Sequence, residues 1–489
     1  MIPPQISYCN TSGSALKAAD RSTWLKDELM NANNTKNDRP KYTQALKQTS
    51  VKNHEVCVLI GHSIEAITSA VVLASLGNTV HLYSNTEWLE QQLQQYDFER
   101  HLPALWQMYV QQHQIVIQTL PDSAEHLLQS YSVFYNNKDS EKVILYWLFL
   151  DSIKSVWPEE SWIAAFNHSN QQALPLVMSG IEQIGYISAL AQRLKRAWVY
   201  YIPFAFLQEG AAYSSMLAPS LWLVGEKTPQ SSNQYLSALQ PLRLDARAFY
   251  FADIATIEFA RSSIMAMLAT RVSFMNEMSR LADGYHLDIQ QVSNIIGLDD
   301  RIGSSYLQAG WGFGGNTLPT ELTKLSQSSQ THSLDMPLLQ SVMRINEDQK
   351  ELIFRKFWQY FDGFIDHKTV MIWGGSYKPK SGRTVGSAIH PLLALLWSYD
   401  IRTLIYSDKS QAELATRYGQ QSLFQLVVDP YEQLPNTHAI FIVSWSPRDQ
   451  LDMAKINQQA MPIFDAQNAL TRLQIDSLVG DYMGIGRSK

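Results

Sequence analysis

A chain of 489 residues exceeds what one hydrophobic core organises, and its length points to three domains of ordinary size. With 45% hydrophobic residues, 17% charged residues and 13 tryptophans, the composition is globular. A formal net charge of −6 gives no electrostatic ground for nucleic acid or an anionic membrane as a partner, and two cysteines, Cys9 and Cys57, support neither a disulfide framework nor a cysteine-based metal site, so no metal is expected.

Residues 1–50 are rich in Asn, Thr, Ser, Lys and Gln and read as a polar, loosely attached leader. Its first eight residues have no basic n-region and no apolar h-region, and the expected location is cytoplasmic. At Val56 the pattern changes. Val56-Cys57-Val58-Leu59-Ile60 predicts a buried strand, Ile64 to Leu76 carries apolar residues at helical spacing, Gly77-Asn78 stops the helix, and Thr79-Val80-His81-Leu82-Tyr83 predicts a second strand. This is a βαβ unit, whose right-handed crossover makes the strands parallel. The apolar run at 143–150 suits a buried element and is far short of the roughly 20 residues that cross a bilayer. Between Phe251 and Ala282, Ile254, Ile257, Ile264, Leu268, Val272, Met275 and Ala282 predict one long helix with a continuous apolar face. A second strand–helix–strand series follows at Thr369-Val370-Met371-Ile372-Trp373, His390 to Tyr399 and Ile401 to Tyr406, extended by Ala439-Ile440-Phe441-Ile442-Val443. The predicted fold class is α/β: two Rossmann-like domains, at 51–245 and 351–489, joined by a central helical dimerisation region at 246–350 that contains the long helix.

Gly61-His62-Ser63-Ile64-Glu65-Ala66 stands where a GxGxxG dinucleotide fingerprint would lie. Ala66 is tolerated at the third glycine position. Ser63 at the second places a Cβ where a pyrophosphate approaches, and Glu65 puts negative charge in the helix turn that would receive the anion. The acidic residue expected on the ribose is also missing, because Tyr83 is followed by Ser84-Asn85-Thr86. A structural βαβ unit and a degenerate cofactor site at Gly61, Ser63, Ala66 and Ser84 both remain open, with phosphate binding disfavoured.

Further on, Asp299-Asp300-Arg301-Ile302-Gly303 precedes Gly310-Trp311-Gly312-Phe313-Gly314-Gly315-Asn316-Thr317-Leu318-Pro319-Thr320-Glu321. With the preceding helix, this stretch resembles the central region of the UDP-glucose/GDP-mannose dehydrogenase family, the nucleotide-sugar 6-dehydrogenases. The resemblance continues in order through Pro203-Phe204-Ala205-Phe206-Leu207-Gln208-Glu209-Gly210, Arg344-Ile345-Asn346-Glu347, Tyr377-Lys378-Pro379 and Phe464-Asp465-Ala466-Gln467-Asn468. It implies a two-step, NAD-dependent oxidation of a sugar C6 alcohol through a cysteine thiolate.

The catalytic positions implied by that resemblance are changed. Thr317 occupies the cysteine position, Thr320 and Glu321 stand at the family's Lys and Asp, Arg261 and Met265 at its helical Lys and Asn, and Ala205 at an acid, leaving Glu209 of that pair. Asn137-Lys138-Asp139-Ser140 replaces a Thr-Pro turn, Gln467 replaces an Arg, and Val385 another. What survives is binding equipment: Phe206, Leu207, Glu209, Arg301, Gly312, Phe313, Gly314, Gly315, Tyr377 and Lys378. These residues either contact a nucleotide-sugar or hold domains and subunits together. The expected protein is a pseudoenzyme, a binding or scaffold protein linked to polysaccharide or nucleotide-sugar metabolism. It is expected to form a homodimer through the long helix, to take a nucleotide-sugar or a protein partner, and to use no cofactor. The alternative is an NAD-dependent dehydrogenase of altered chemistry, and a third reading has both pockets filled by Met265, Phe204 and Trp311.

Overall fold

A computed structural model describes residues 55–132, 142–205, 207–445 and 451–489. The polar leader, Asn137-Lys138-Asp139-Ser140 and Phe206 lie outside the described residues.

The first sheet contains β1 (Glu55–Ile60), β2 (Thr79–Ser84), β3 (Ile115–Thr119), β4 (Lys142–Phe149), β5 (Leu176–Ser179), β6 (Val199–Tyr201), β7 (Trp222–Glu226) and β8 (Phe249–Asp253). Their order is β3-β2-β1-β4-β5-β6-β7-β8, parallel except where β7 runs against β6. Residues on successive strand positions face opposite layers. Val56, Val58 and Ile60 join Tyr146 and Leu148 on one face, while Cys57 and Leu59 join Leu145, Trp147 and Phe149 on the other. Both faces are therefore buried, which is why β1 and β4 read as continuous apolar runs. Burial pushes the Cys57 thiol well above its usual range, as expected of a packing residue.

Helix α1 (Ile64–Ser75) connects β1 to β2. The chain leaves β8 into α2 (Ile254–Gly284), then α3 (Ile289–Gly297), α4 (Thr317–Thr331) and α5 (Pro337–Tyr360). The long helix starts later than its apolar spacing predicts. Phe251 belongs to β8, where Val224 pairs with it, and Asp253 caps the helix by accepting the Thr256 N–H at 2.9 Å. Aromatic residues at 249 and 251 satisfy either period, and the sheet edge takes them. Strand β8 thus completes the first sheet from within the segment expected to open the helical region, and α5 runs through residue 350.

Helices α2, α4 and α5 share a core of Ala266, Ala269, Leu322, Leu325, Leu339 and Val342. Each of the larger members contributes about 1.5–3 kcal/mol on full burial. The second sheet contains β9 (Thr369–Trp373), β10 (Arg402–Tyr406), β11 (Phe424–Leu426), β12 (Ala439–Ile442), β13 (Ile463–Asp465) and β14 (Tyr482–Gly484), all parallel in the order β11-β10-β9-β12-β13-β14. Helix α6 (Ile389–Ser398) covers one face through Leu392, Leu393 and Leu396. In each sheet the order reverses once, between β1 and β4 and between β9 and β12, and such reversals open a crevice at the strands' carboxyl ends. Among the described residues, no helix is long and apolar enough to cross a membrane.

Candidate functional site

The first crevice opens above β1 and β4. Gly61 is required there: a Cβ on it would stand 2.7 Å from that of Phe149, and the backbone has φ +152°. The following loop is occupied by its own side chains. Ser152 Oγ accepts the His62 N–H at 3.0 Å, and Ser63 Oγ accepts the Ala66 N–H at 3.3 Å, so two donors that face anions in dinucleotide sites are satisfied internally. Beside this loop, the His62 ring sits edge-on to Trp88 at 4.2 Å, and burial lowers its pKa to about 4, leaving it neutral. Ser84 is buried, and Asn85 accepts the Trp88 N–H at 3.1 Å as a helix cap, so neither is presented as a ribose acceptor.

A shallow pocket, about 280 Å³ when the open solvent at its mouth is included, remains at this crevice. Ser63, Glu65, Phe149, Asp151, Phe204 and Arg261 line it. Two of these are carboxylates. Asp151 opens to solvent at the mouth but is otherwise enclosed, and desolvation, with Glu65 and Glu182 nearby, raises its pKa to about 6 against the pull of Lys154 and Arg261. A pyrophosphate here would meet these two carboxylates as well as Arg261.

That shift has a testable sign. A folded-state pKa above the unfolded value means that ionising Asp151 costs folding free energy, fully felt above pH 6 and absent below about pH 4. Asp151→Asn is expected to stabilise the chain by about 1 kcal/mol at pH 8, after discounting for solvent screening, and to leave it unchanged at pH 4. Urea denaturation at the two pH values measures the difference, and equal shifts at both would remove the electrostatic account.

At the base of the pocket, Arg261 of α2 forms an ion pair with Glu321 of α4, and Ser262 Oγ donates to the same carboxylate at 3.0 Å. Both charged residues are buried, at 5% and 1% exposure. Met265, one turn beyond Arg261, is buried as well. Thr317 is the first residue of α4 and is exposed, and its hydroxyl makes no hydrogen bond among the described residues. The nearest acid along its helix, Glu321, is held by Arg261 and Ser262, and Ala205 offers no acid at all.

The glycine loop is a packing device. A Cβ on Gly314 would stand 2.4 Å from the Gly386 carbonyl oxygen, and one on Gly315 2.7 Å from the Tyr377 ring. Asn346 of α5 accepts the Phe313 N–H at 2.7 Å and donates to its carbonyl at 3.1 Å, against the flank of Gly312. The Phe313 side chain packs onto the shared helical core, and Trp311 is buried. Arg301 is 89% exposed and folds back on Asp299, at 2.6 and 3.0 Å. Leu207 packs against the first domain's core.

Glu209, Tyr377 and Lys378 do meet. The Tyr377 hydroxyl donates to Glu209, and Lys378 Nζ lies 3.2 Å from it. Sequence reasoning passed over Arg383, whose Nη2 is 3.8 Å from the same carboxylate and which stands two residues before Val385, where a guanidinium was missed. It also passed over Asp151, although the carboxyl end of a buried strand is where ligand-facing residues sit. Glu258 was missed too. It accepts the N–H groups of Ile187 and Ser188 at 2.9 and 3.2 Å beside Arg261, and burial raises its pKa to about 7. Gln467 and Asn468 serve the backbone: Asp465 accepts the Gln467 N–H, and Asn468 pairs with Ile485. Among the described residues, no group of acidic, His or Cys side chains could hold a metal ion.

Two largely parallel sheets, joined through a long helix and a glycine loop, define a protein of two Rossmann-like α/β domains. The profile of the UDP-glucose/GDP-mannose dehydrogenase family, central domain, matches residues 255–348. The UDP-glucose 6-dehydrogenase of Pseudomonas aeruginosa is 28% identical over 290 residues, 58% of this chain and 64% of that protein. That of Rickettsia conorii is 26% identical over 327 residues, 66% of this chain and 75% of that protein. The match to the Pseudomonas protein thus spans just under two thirds of its length. Among solved structures, a UDP-glucose dehydrogenase from Pyrobaculum islandicum superposes with a TM-score of 0.74 at 18% identity, over 90% of this chain and all of that one. A UDP-D-ManNAc dehydrogenase from Pyrococcus horikoshii follows at 0.68 and 14%, over 88% and 99%. Residues 255–348 thus match that family's central domain, and the fold is the one its solved members share.

Proposed function

We propose that this chain is a non-catalytic member of the UDP-glucose/GDP-mannose dehydrogenase family, a dimeric binding or scaffold protein of nucleotide-sugar or polysaccharide metabolism. The observation that carries the reading is the buried Arg261–Glu321 pair beside an unactivated Thr317. A hydroxyl needs an adjacent base to become a nucleophile, and the acid one turn away is already neutralised. Nicotinamide dinucleotide is not held tightly, a reading supported by the internal bonds of the Gly61 loop, the His62–Trp88 contact and the carboxylates of Glu65 and Asp151. The rival reading, an NAD-dependent dehydrogenase of altered chemistry acting on a CH–OH group, draws support from the names of the relatives and from the pocket kept at the first crevice. The two part on one experiment: formation of reduced nicotinamide by the purified chain with UDP-glucose or GDP-mannose. No turnover is expected, and turnover above background would establish the dehydrogenase instead.

The dimer reading rests on α2. Phe259, Met267, Phe274 and Leu281 are 47–62% exposed and recur at spacings near seven, which lays them along one outer stripe. Such a stripe suits the same stripe on a second copy. Light scattering at micromolar concentration is expected to give twice the chain mass, and the Met267→Glu/Phe274→Asp variant the single mass. A monomeric wild type would remove the dimer.

A further inference from the structure

The β8 edge of the first sheet carries a concave feature of its own, apart from the crevice between β1 and β4. Trp222 pairs with Phe249 and Val224 with Phe251, so these four side chains share one face of the sheet. Leu236 and Leu239, from the chain just before the short helix Gln240–Asp245, pack on that face. Between them lies a shallow cleft, about 250 Å³ when the open solvent at its mouth is included, with apolar walls that include Trp222, Val224, Leu239 and Phe251.

The polar side chains that line the cleft are Ser232, Asn233, Gln240 and Arg243, all hydrogen-bond donors and none acidic. Ser232 is 6% exposed. Its backbone N–H donates to Glu226 at 2.9 Å, but its Oγ has no partner among the described residues. A buried hydroxyl left unpaired costs about 1–3 kcal/mol, which a ligand bearing an acceptor offsets. Glu226 is not that acceptor, because its two oxygens are committed to the backbone N–H groups of Gln230 and Ser232. Arg243, only partly buried, lies over the Phe249 and Phe251 rings, 5.4 and 6.0 Å from their centroids, and donates to Asn233 Oδ1 at 2.6 Å. The rings and that bond hold the guanidinium in place, and among the described residues no carboxylate pairs with it.

We propose that this cleft binds a small monocarboxylate with a branched apolar tail. The carboxylate meets Arg243 and the Ser232 hydroxyl, and the tail lies against Trp222, Leu239 and Phe251. One cation and one unpaired hydroxyl match a single negative charge, and the apolar walls disfavour a ligand that is polar throughout. Neither the first crevice nor the Arg261–Glu321 pair takes part, so the site stands whether or not the chain is catalytic.

The probe is 3-methylbutanoate, with 3-methylbutanamide as its uncharged counterpart, each titrated into the full chain and followed by saturation-transfer NMR. The acid is expected to bind with a dissociation constant of about 1 mM, in keeping with a ligand of this size, and the amide about tenfold more weakly. Arg243→Met is expected to weaken the acid about tenfold and so to bring acid and amide close together, and Ser232→Ala to weaken the acid about threefold. Equal affinity of wild type for acid and amide, or an acid titration that Arg243→Met leaves unchanged, overturns the site. Absence of acid binding to wild type at about 20 mM overturns it as well. The comparison of acid with amide needs only the unaltered chain, so it decides the matter even if a variant fails to fold.

Discussion

Glu321→Gln is expected to destabilise the central core by about 3–5 kcal/mol, the cost of stranding one member of a buried ion pair. A guanidinium needs its charge met by a partner, and Arg261, at 5% exposure, has little solvent to do so. Its Nε has no partner even in the intact pair, so the guanidinium depends heavily on Glu321. The double substitution Arg261→Met/Glu321→Leu removes both charges and fills similar volume, and is expected to return to within about 1 kcal/mol of wild type. Urea denaturation followed by tryptophan fluorescence, compared by midpoint because the chain has several domains, measures the cycle. The outcome bears on function as well as stability. A carboxylate that serves as acid or base must exchange protons with its surroundings, and one whose loss costs several kcal/mol is committed to holding α2 against α4. A cost below about 1 kcal/mol would mean a solvated, available pair, and would reopen catalysis.

What the sequence disclosed and what it hid follow from the range of the interactions. The βαβ unit at 55–84 and the second strand–helix–strand series were legible because their signals are local: buried parallel strands appear as unbroken apolar runs, and α1 is apolar almost all round. The motif order across the chain revealed two Rossmann-like domains for the same reason. The Arg261–Glu321 pair was not legible, since each residue is an unremarkable charge on its own helix and only the packing of α2 on α4 joins them. Arg383 escaped because position-by-position comparison found Val385 where a guanidinium was expected, whereas the loop brings one from two residues upstream onto Glu209. The start of the long helix was misplaced because Phe249 and Phe251 continue an apolar pattern while the β8 ladder, a non-local feature, claims their backbone. The glycines of 312–315 could be read as ligand-facing or as packing. The close approaches to Gly386 and Tyr377 require small residues whether or not anything binds.

Thr317→Cys separates reactivity from catalysis. The side chain at 317 is exposed and opens α4, a helix of fifteen residues whose N-terminal dipole favours a thiolate. The new cysteine is therefore expected to react readily with a thiol reagent at neutral pH, which shows that the nucleophile's position is accessible and its conformation intact. It is nevertheless expected to produce no reduced nicotinamide with UDP-glucose or GDP-mannose. A thiolate at 317 would still lack an amide at Met265, a free cation at Arg261, which is paired to Glu321, an acid at Ala205, and a first crevice free of carboxylates opposing the cofactor's phosphates. Removing one general acid or base from a working site costs about 10²–10⁴ in rate. Groups that act as a unit are not recovered one at a time, so restoring the nucleophile alone leaves the rate near background. A modified thiol without turnover is the expected pair of results. Turnover by the cysteine variant alone would mean that the dinucleotide binds despite Glu65 and Asp151, and that residue 317 was the single missing group.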